Sequence, residues 1–259
     1  LRTFPRLYVS ALFQQPVNGR TLSPFPTEAG QADANSNYNA LQVYLARRKG
    51  RVMMTASYTW AKALTDASSN SEASEEPLSR RFNYGPASFD RRHVFVSTFN
   101  LKAPAPFKSV ALSRLALGGW DLSGIARAQS GPYSSITATT DIGTRRADYI
   151  GGQVKLPADQ RTVNRYFNTA AFAAPPPDRR GNTGPGIVQA PGLQLFDFSI
   201  RKQFRIREGK TLRFQGDLFN AFNHANLRGL TTNLSSRDFG AFTGFGPGRD
   251  VQLGLWFNF

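Results

Sequence analysis

The final eleven residues, RDVQLGLWFNF, constrain the fold more than any other stretch of this chain. Val251, Leu253, Leu255, Phe257 and Phe259 fall on one side of an extended strand, and Asp250, Gln252, Gly254, Trp256 and Asn258 fall on the other. Successive side chains of a strand point to opposite faces, so strict alternation means that the two faces meet different media. The pattern runs to the last residue, a bare phenylalanine. Termini in water usually fray, and water on both sides explains an aromatic end poorly.

An amphipathic strand of roughly 9–11 residues is what a transmembrane β-barrel uses to cross lipid. The other reading of the segment is the last strand of a soluble sandwich. The 259 residues include no cysteine, which excludes a disulfide framework and a thiolate metal site. Apolar residues make up 40% of the chain, yet it holds 21 Phe and 8 Tyr and has a mean hydropathy of −0.37. That balance suits short alternating strands better than buried helices. No run approaches the ~18 apolar residues of a membrane helix, a test to which barrels are blind. The opening LRTFPRLYVS has no Met, no charged n-region and no apolar h-region. We therefore expect a C-terminal fragment of a longer protein, with any leader upstream.

The periodicity predicts about eight strands, at Arg6–Phe13, Tyr38–Arg48, Arg51–Leu64, Arg91–Leu101, Leu115–Ser130, Leu193–Phe204, Lys210–Phe222 and Arg249–Phe259. In the third, Val52, Met54, Ala56, Tyr58 and Trp60 oppose Met53, Thr55, Ser57 and Thr59. In the sixth, Phe196, Phe198 and Ile200 oppose Asp197, Ser199 and Arg201. In the seventh, Leu212, Phe214 and Leu218 oppose Arg213, Gln215 and Asp217. A slip of one residue would move these charges into the apolar layer, so register is strongly set. The fold class expected is all-β: an antiparallel transmembrane barrel meander, residues 1–259 forming one partial barrel domain. Val52, Met54, Leu253, Leu255 and Phe257 should be exposed in the absence of lipid, with Thr55, Ser57, Gln215 and Asp217 facing the concave side. The first and last strands should each leave an unpaired edge.

The connections alternate in length. The turn Arg48–Arg51, the segment Lys102–Arg114 and the segment Arg205–Gly209 are short or moderate. Gln14–Asn37, Thr65–Asp90, Gly131–Gly192 and Asn223–Gly248 are long, and loops of such length usually carry function. Outer-membrane barrels have short periplasmic turns and long outer loops. Counting back from Phe259 as a periplasmic end puts every short connection inside and every long one outside.

Net charge is +15 with a pI near 10.7, which first suggests an anionic partner. The basic residues, however, flank the short turns: Arg47, Arg48, Lys49 and Arg51, then Lys102, Lys108 and Arg114, then Arg201, Lys202, Arg205, Arg207 and Lys210. There they can snorkel to the water edge. No aromatic platform interleaves with them, so nucleic acid is not an expected partner. Glu72, Glu75 and Glu76 lie in a long loop.

His93 and His224 lie near strand ends without partners at hydrolase or zinc spacing, although Asp90 precedes His93 by three residues. They read as polar loop-edge residues, and neither catalytic nor metal nor cofactor-binding residues are expected. GFGPGR at Gly244–Arg249 lacks the Lys-Ser/Thr ending of a phosphate loop and reads as a flexible turn. PPPDRRGNTGPG at Pro175–Gly186 is loop composition. Tyr58, Trp60 and Trp256 suit either an interfacial girdle or ordinary sheet packing.

The phrases SNYNALQVYLARR, ASYTWAKALTDASS, FDRRHVFVSTFNL, LGGWDLSGIARAQSGPY, FDFSIRKQF and LRFQGDLFNAFNHANL occur in this order before the aromatic end. Together, over about Ser36 to Phe259, they resemble the C-terminal barrel of TonB-dependent outer-membrane receptors. The closest subgroup is the Oar-like kind with a carboxypeptidase-regulatory-like domain. The resemblance implies a barrel of about 22 strands, a plug that contacts an energy transducer of the inner membrane, and the outer membrane of a Gram-negative-type bacterium as location. It also implies that Leu253, Leu255, Trp256, Phe257 and Phe259 signal to the barrel-assembly machinery. No ligand-binding residues carry over, and the solute stays unknown.

Three functions are thus open. The first is a segment of a receptor for energised uptake of a scarce, bulky solute. The second is a stand-alone eight-stranded outer-membrane barrel with a structural or adhesive role. The third is a soluble carbohydrate-binding sandwich, which would bury the Leu253, Leu255, Phe257 and Phe259 face against a second sheet.

Overall fold

The computed structural model describes residues 6–13, 35–68, 80–103, 118–141 and 143–259. The acidic cluster at Glu72–Glu76 and the basic residues Lys108 and Arg114 lie outside the described residues. Eight long strands dominate: β1 (Arg6–Phe13), β2 (Ser36–Arg47), β3 (Val52–Thr65), β4 (His93–Lys102), β5 (Trp120–Gln129), β6 (Leu193–Arg207), β7 (Lys210–Phe219) and β8 (Asp250–Asn258). They form one sheet in sequence order, with the two-residue strand Gly85–Pro86 added beside β3. Every neighbouring pair is antiparallel. Among the described residues, helix is confined to a single turn at Arg80–Asn83 and two 3-10 turns. The expected meander is therefore present. Its path runs from β1 to β8 without closing, so each keeps one edge without a described partner.

The strand ends differ from expectation at definable places. β7 stops at Phe219 rather than Phe222 because Asn220 turns into the left-handed region (φ 45°). β6 runs on to Arg207, where a register irregularity leads into a turn with Gly209 at φ 77°. The expected start of the fifth strand, Leu115, lies outside the described residues, and β5 is seen from Trp120.

Register distributes the side chains as the periodicity requires. Leu253, Leu255 and Phe257 oppose Gly216, Phe214 and Leu212. Those in turn oppose Ile200, Lys202 and Phe204. Ile200 opposes Leu122, Leu122 opposes Leu101, and Leu101 opposes Val52. One face is thus mainly apolar across the sheet from β3 to β8, and Lys202 on it holds its ammonium 5.0 Å from the centres of the Trp120 and Phe204 rings. The other carries Thr55 opposite Thr98, with their hydroxyls 2.7 Å apart, and Arg201 opposite Asp121. It also carries Gln215 and Asp217, which hydrogen-bond each other.

Among the described residues no second sheet of comparable size covers the apolar face, whereas the sandwich reading needs that face buried against one. Leu253 is 72% exposed and Leu255 66%. Val52 and Met54 are half-buried rather than exposed, because Leu101 and Phe99 stand directly opposite them. Trp60 and Tyr58 lie on the apolar face, opposite Leu41 and Val43, whereas Trp256 lies on the polar face. Its ring folds back over Gly254, and the Arg213 guanidinium rests 4.4 Å from its centre. A girdle role for Trp256 is therefore not supported.

Rings gather toward both ends of the apolar face. Phe196 packs on Phe222 at 5.1 Å at one end, and Trp120 packs on Phe214 at 6.1 Å at the other. Phe196 and Phe204 share a face of β6 eight positions apart, about 26 Å along the strand. This is comparable with the apolar band of roughly 25 Å that outer-membrane barrels present between their aromatic girdles. Between the girdles Gly124 leaves a notch. A Cβ there would stand 2.6 Å from the Phe99 ring and 2.7 Å from the Phe198 ring, which lie across it.

Candidate functional site

The long connections described here emerge at one end of the sheet, and they are folded. The 131–192 connection builds three short pairings: Tyr133–Ser134 with Val188–Gln189, Thr137–Thr140 with Gly143–Arg146, and Asp148–Tyr149 with Phe172–Ala173. The 220–249 connection pairs Leu227–Leu230 with Phe242–Phe245. Ile136, Ala147, Phe167, Ala171, Phe172 and Val188 form a buried core within this cap, and Leu230, Leu234 and Phe239 pack onto it from the last connection. The Phe167 ring meets Phe172 and Phe239 edge-on at 5.9 and 5.3 Å, a favourable geometry for aromatic quadrupoles. Backbone bonds join the two connections: Tyr166 N–H to Gly240 O (2.9 Å), Phe242 N–H to Val163 O (2.9 Å) and Leu234 N–H to Thr137 O (2.7 Å). Apolar residues scattered among loop signals thus build a second core, which strand periodicity could not reveal.

Buried polar groups fix the cap. Arg179 grips Asp148 with two bonds of 2.8 and 2.6 Å, and the Asn182 N–H adds a third at 3.0 Å. The Arg179 guanidinium holds the Asp148 carboxyl below its ordinary range, against the opposing effect of burial. Burial pushes the Tyr166 hydroxyl up, and Arg161 beside it works the other way. The buried Arg146 stacks on Phe82 at 4.2 Å and donates to the Phe82 carbonyl at 2.9 Å. This ties the cap to the 80–92 connection. Gly181 is required there, since a Cβ would meet the Arg146 carbonyl oxygen at 2.0 Å. PPPDRRGNTGPG therefore has a fixed course.

Three asparagines spaced by three residues anchor the last connection to the sheet. Asn220 donates to the carbonyls of His224 and Pro247 and accepts from the His224 N–H, each at 3.0 Å. Its own N–H reaches Asp197 at 2.8 Å. Asn223, also left-handed, accepts from the Arg249 N–H at 3.0 Å. Asn226 accepts from the Gln194 N–H and donates to the Gln194 carbonyl, both at 2.8 Å. Its amide pairs with β6 as a neighbouring strand would. GFGPGR is likewise held: Phe242–Phe245 is a strand, and the Gly246 N–H bonds Asn226 O at 2.6 Å. The expected flexible turn is corrected. The FNAFNHANL run carried this signal in its threefold asparagine spacing, but the backbone partners are distant in sequence.

Among the described residues, cavities lie where the cap meets the sheet. One of about 360 Å³ separates the Gln129–Gly131 and Leu193 strand ends from the Leu227–Leu230 hairpin. A second, of about 430 Å³, has Phe95, Ala128 and Leu193 along it and both histidines at its rim. His93 Nδ1 lies 2.8 Å from the Tyr58 hydroxyl, and no third metal-ligating side chain completes a set among the described residues. The third cavity, of about 290 Å³, is lined mainly by hydroxyl groups. At the opposite end, the proposed signal residues Leu253, Leu255 and Phe257 project from the apolar face of β8, while Trp256 faces the other way; Phe259 is 93% exposed.

Over residues 7–252 the chain matches the family described as outer membrane beta barrel domain. No curated protein and no solved structure gives a significant match.

Proposed function

We propose, from the premise that this chain belongs to the outer membrane beta barrel domain family and lies in the outer membrane, that it is the C-terminal segment of the barrel of a TonB-dependent, Oar-like receptor. In this reading the protein imports a scarce, bulky solute, and a plug domain elsewhere in it contacts the inner-membrane energy transducer. The observation that carries the reading is the open sheet: eight long strands in meander order, with no described partner on the outer edge of β1 or of β8. A closed barrel of eight strands fills its interior with side chains, whereas a wide one leaves a lumen that a plug can occupy. The polar face, with Thr55, Thr98, Asp121 and Arg201, suits such a lumen. The cap over the outer end suits capture of a solute.

In the same reading, β8 addresses the assembly machinery. Its apolar Leu253, Leu255, Phe257 and Phe259, with Trp256 behind, accompany a row of edge backbone groups that can add to another sheet edge. The test of the transport reading is conductance. The full-length protein with its plug deleted should form a wide, water-filled pore across a planar bilayer. A sealed bilayer, the outcome for a side-chain-filled small barrel, would refute the reading.

A further inference from the structure

The 430 Å³ cavity opens on the apolar face of the sheet, at the end from which the long connections emerge. Phe95, Ala128 and Gln194 stand side by side in one cross-strand row of that face. The next row toward the middle of the sheet is Ser97, Ala126 and Phe196, and the one after it is Phe99, Gly124 and Phe198. Small side chains on β5 are thus flanked by rings on β4 and β6. Phe222 leans on Phe196 and Phe198, with ring centres at 5.1 and 5.7 Å, and raises the wall on the β6 side. The cavity therefore continues as a groove from Ala128 to Gly124, about 13 Å along the strand. At its far end the Phe99 and Phe198 rings, 6.1 Å apart, cross over Gly124 and make an aromatic floor.

Polarity changes along this groove. Its mid-sheet end is aromatic and aliphatic, whereas His93, His224, Gln194 and Ser130 stand around its mouth. His93 Nδ1 lies 2.8 Å from the Tyr58 hydroxyl, with the two rings stacked, and Nε2 is the other polar atom of the imidazole. The Ser130 hydroxyl oxygen accepts the His93 N–H at 3.0 Å, and its own O–H can donate. Asn220 clasps the His224 backbone at both its N–H and its carbonyl, which fixes the base of that side chain. Asn226 holds the Gln194 backbone in the same way. The groove thus has the polarity of an amphiphile whose tail points to the middle of the membrane and whose head meets water.

We propose that this groove holds one acyl chain of a lipopolysaccharide molecule of the outer leaflet, with the carbonyl linkage of that chain and the headgroup at the histidine mouth. The occupant follows from where the groove lies. The chain belongs to an outer-membrane barrel family, and the apolar face of such a sheet meets lipid. Barrels of this kind carry their long loops on the extracellular side, so the leaflet that reaches the groove is the outer one. The carbonyl and phosphate oxygens of its lipid only accept hydrogen bonds, and Ser130, Gln194 and the two histidines can donate them. The small side chains of Ala126 and Ala128 leave room for a chain to lie between the rings on either side. This site is on the lipid side of the wall, and it depends on neither the uptake reading nor a plug.

The experiment extracts the protein from outer membranes in mild detergent and follows bound lipid by native mass spectrometry while rising collision energy strips the loosely held annulus. Lipopolysaccharide should outlast the annulus, one molecule to each protein. A128F fills the groove with a ring and should cut the retained fraction at least tenfold. H224A removes one donor while the Asn220 clasp on its backbone stays, and should weaken retention about tenfold, the usual effect of one lost hydrogen bond. V251A, at an exposed position of the same face two strands from Phe198, should retain lipid as the parent does. The heat-dependent electrophoretic shift of a folded barrel verifies assembly of each variant, and H224A decides if A128F does not assemble. The proposal is overturned if no lipid outlasts the annulus, or if phospholipid is retained in place of lipopolysaccharide. Retention equal to the parent in either assembled groove variant, or an equal loss in V251A, overturns it too.

Discussion

Replacing Asn226 with alanine tests whether the long connections are held as a folded cap. Asn226 is 4% exposed and makes two 2.8 Å bonds to the backbone of Gln194 on β6. N226A removes both and leaves a backbone N–H and a carbonyl without partners. One hydrogen bond contributes about 1 kcal/mol, and an unsatisfied buried group costs roughly 1–3 kcal/mol, so about 3 kcal/mol is lost from the attachment of this connection. That corresponds to a rise of about 100-fold in the population of its open form. Proteolysis follows that population when reclosing is faster than cleavage. Trypsin added to whole cells should therefore cut at the exposed Arg228 and Arg237 about 100-fold faster in N226A. N226D should fall between, because its carboxylate still accepts from the Gln194 N–H but cannot donate to the carbonyl. Equal cleavage of N226A and the parent would refute the reasoning.

Gly124→Val would push a branched side chain into the Phe99 and Phe198 rings. It should reduce the yield of folding into phospholipid vesicles, and the second change F99A should restore some of it. Asp148 has its carboxyl held below the ordinary value of 3.8, so its contribution to the cap is complete above that value and is lost as pH falls through the depressed one. Pepsin resistance of the cap should accordingly persist down to about pH 4 and decline only in stronger acid, and D148N should weaken it at mild pH and flatten that decline. Deleting Phe259 should lower the protein's surface abundance relative to total synthesis, measured by surface biotinylation; unchanged abundance would remove the proposed assembly role.

The sheet was legible because its strands separate a lipid-facing side from a water-facing one. Met54 to Trp60 and Phe196 to Arg201 alternate strictly, and their register in the structure is the one that alternation demands. Strand ends were less legible, since Asn220 ends β7 through backbone conformation while Ala221 and Phe222 continue the apolar composition. The cap was hidden for a different reason. Ile136, Phe167 and Phe172 belong to one core, but they are separated by turns and obey no period. The hydroxyl-lined cavity was hidden too, because Asp66, Asn83, Ser134 and Thr232 are brought together only by the meeting of four segments. Common residue types at no fixed spacing leave no motif.

The central claim is that the Leu253 face lies in lipid and the Asp217 face in a water-filled lumen. The 259 residues include no cysteine, so single cysteines can be placed along β6 from Gln194 to Lys202, spin-labelled, and assayed in outer-membrane vesicles. Accessibility to lipid-soluble oxygen should peak at Phe196, Phe198 and Ile200, and accessibility to a water-soluble nickel chelate should peak at Asp197, Ser199 and Arg201. Accessibility to the chelate at every position, or the absence of a two-residue period, would contradict the account.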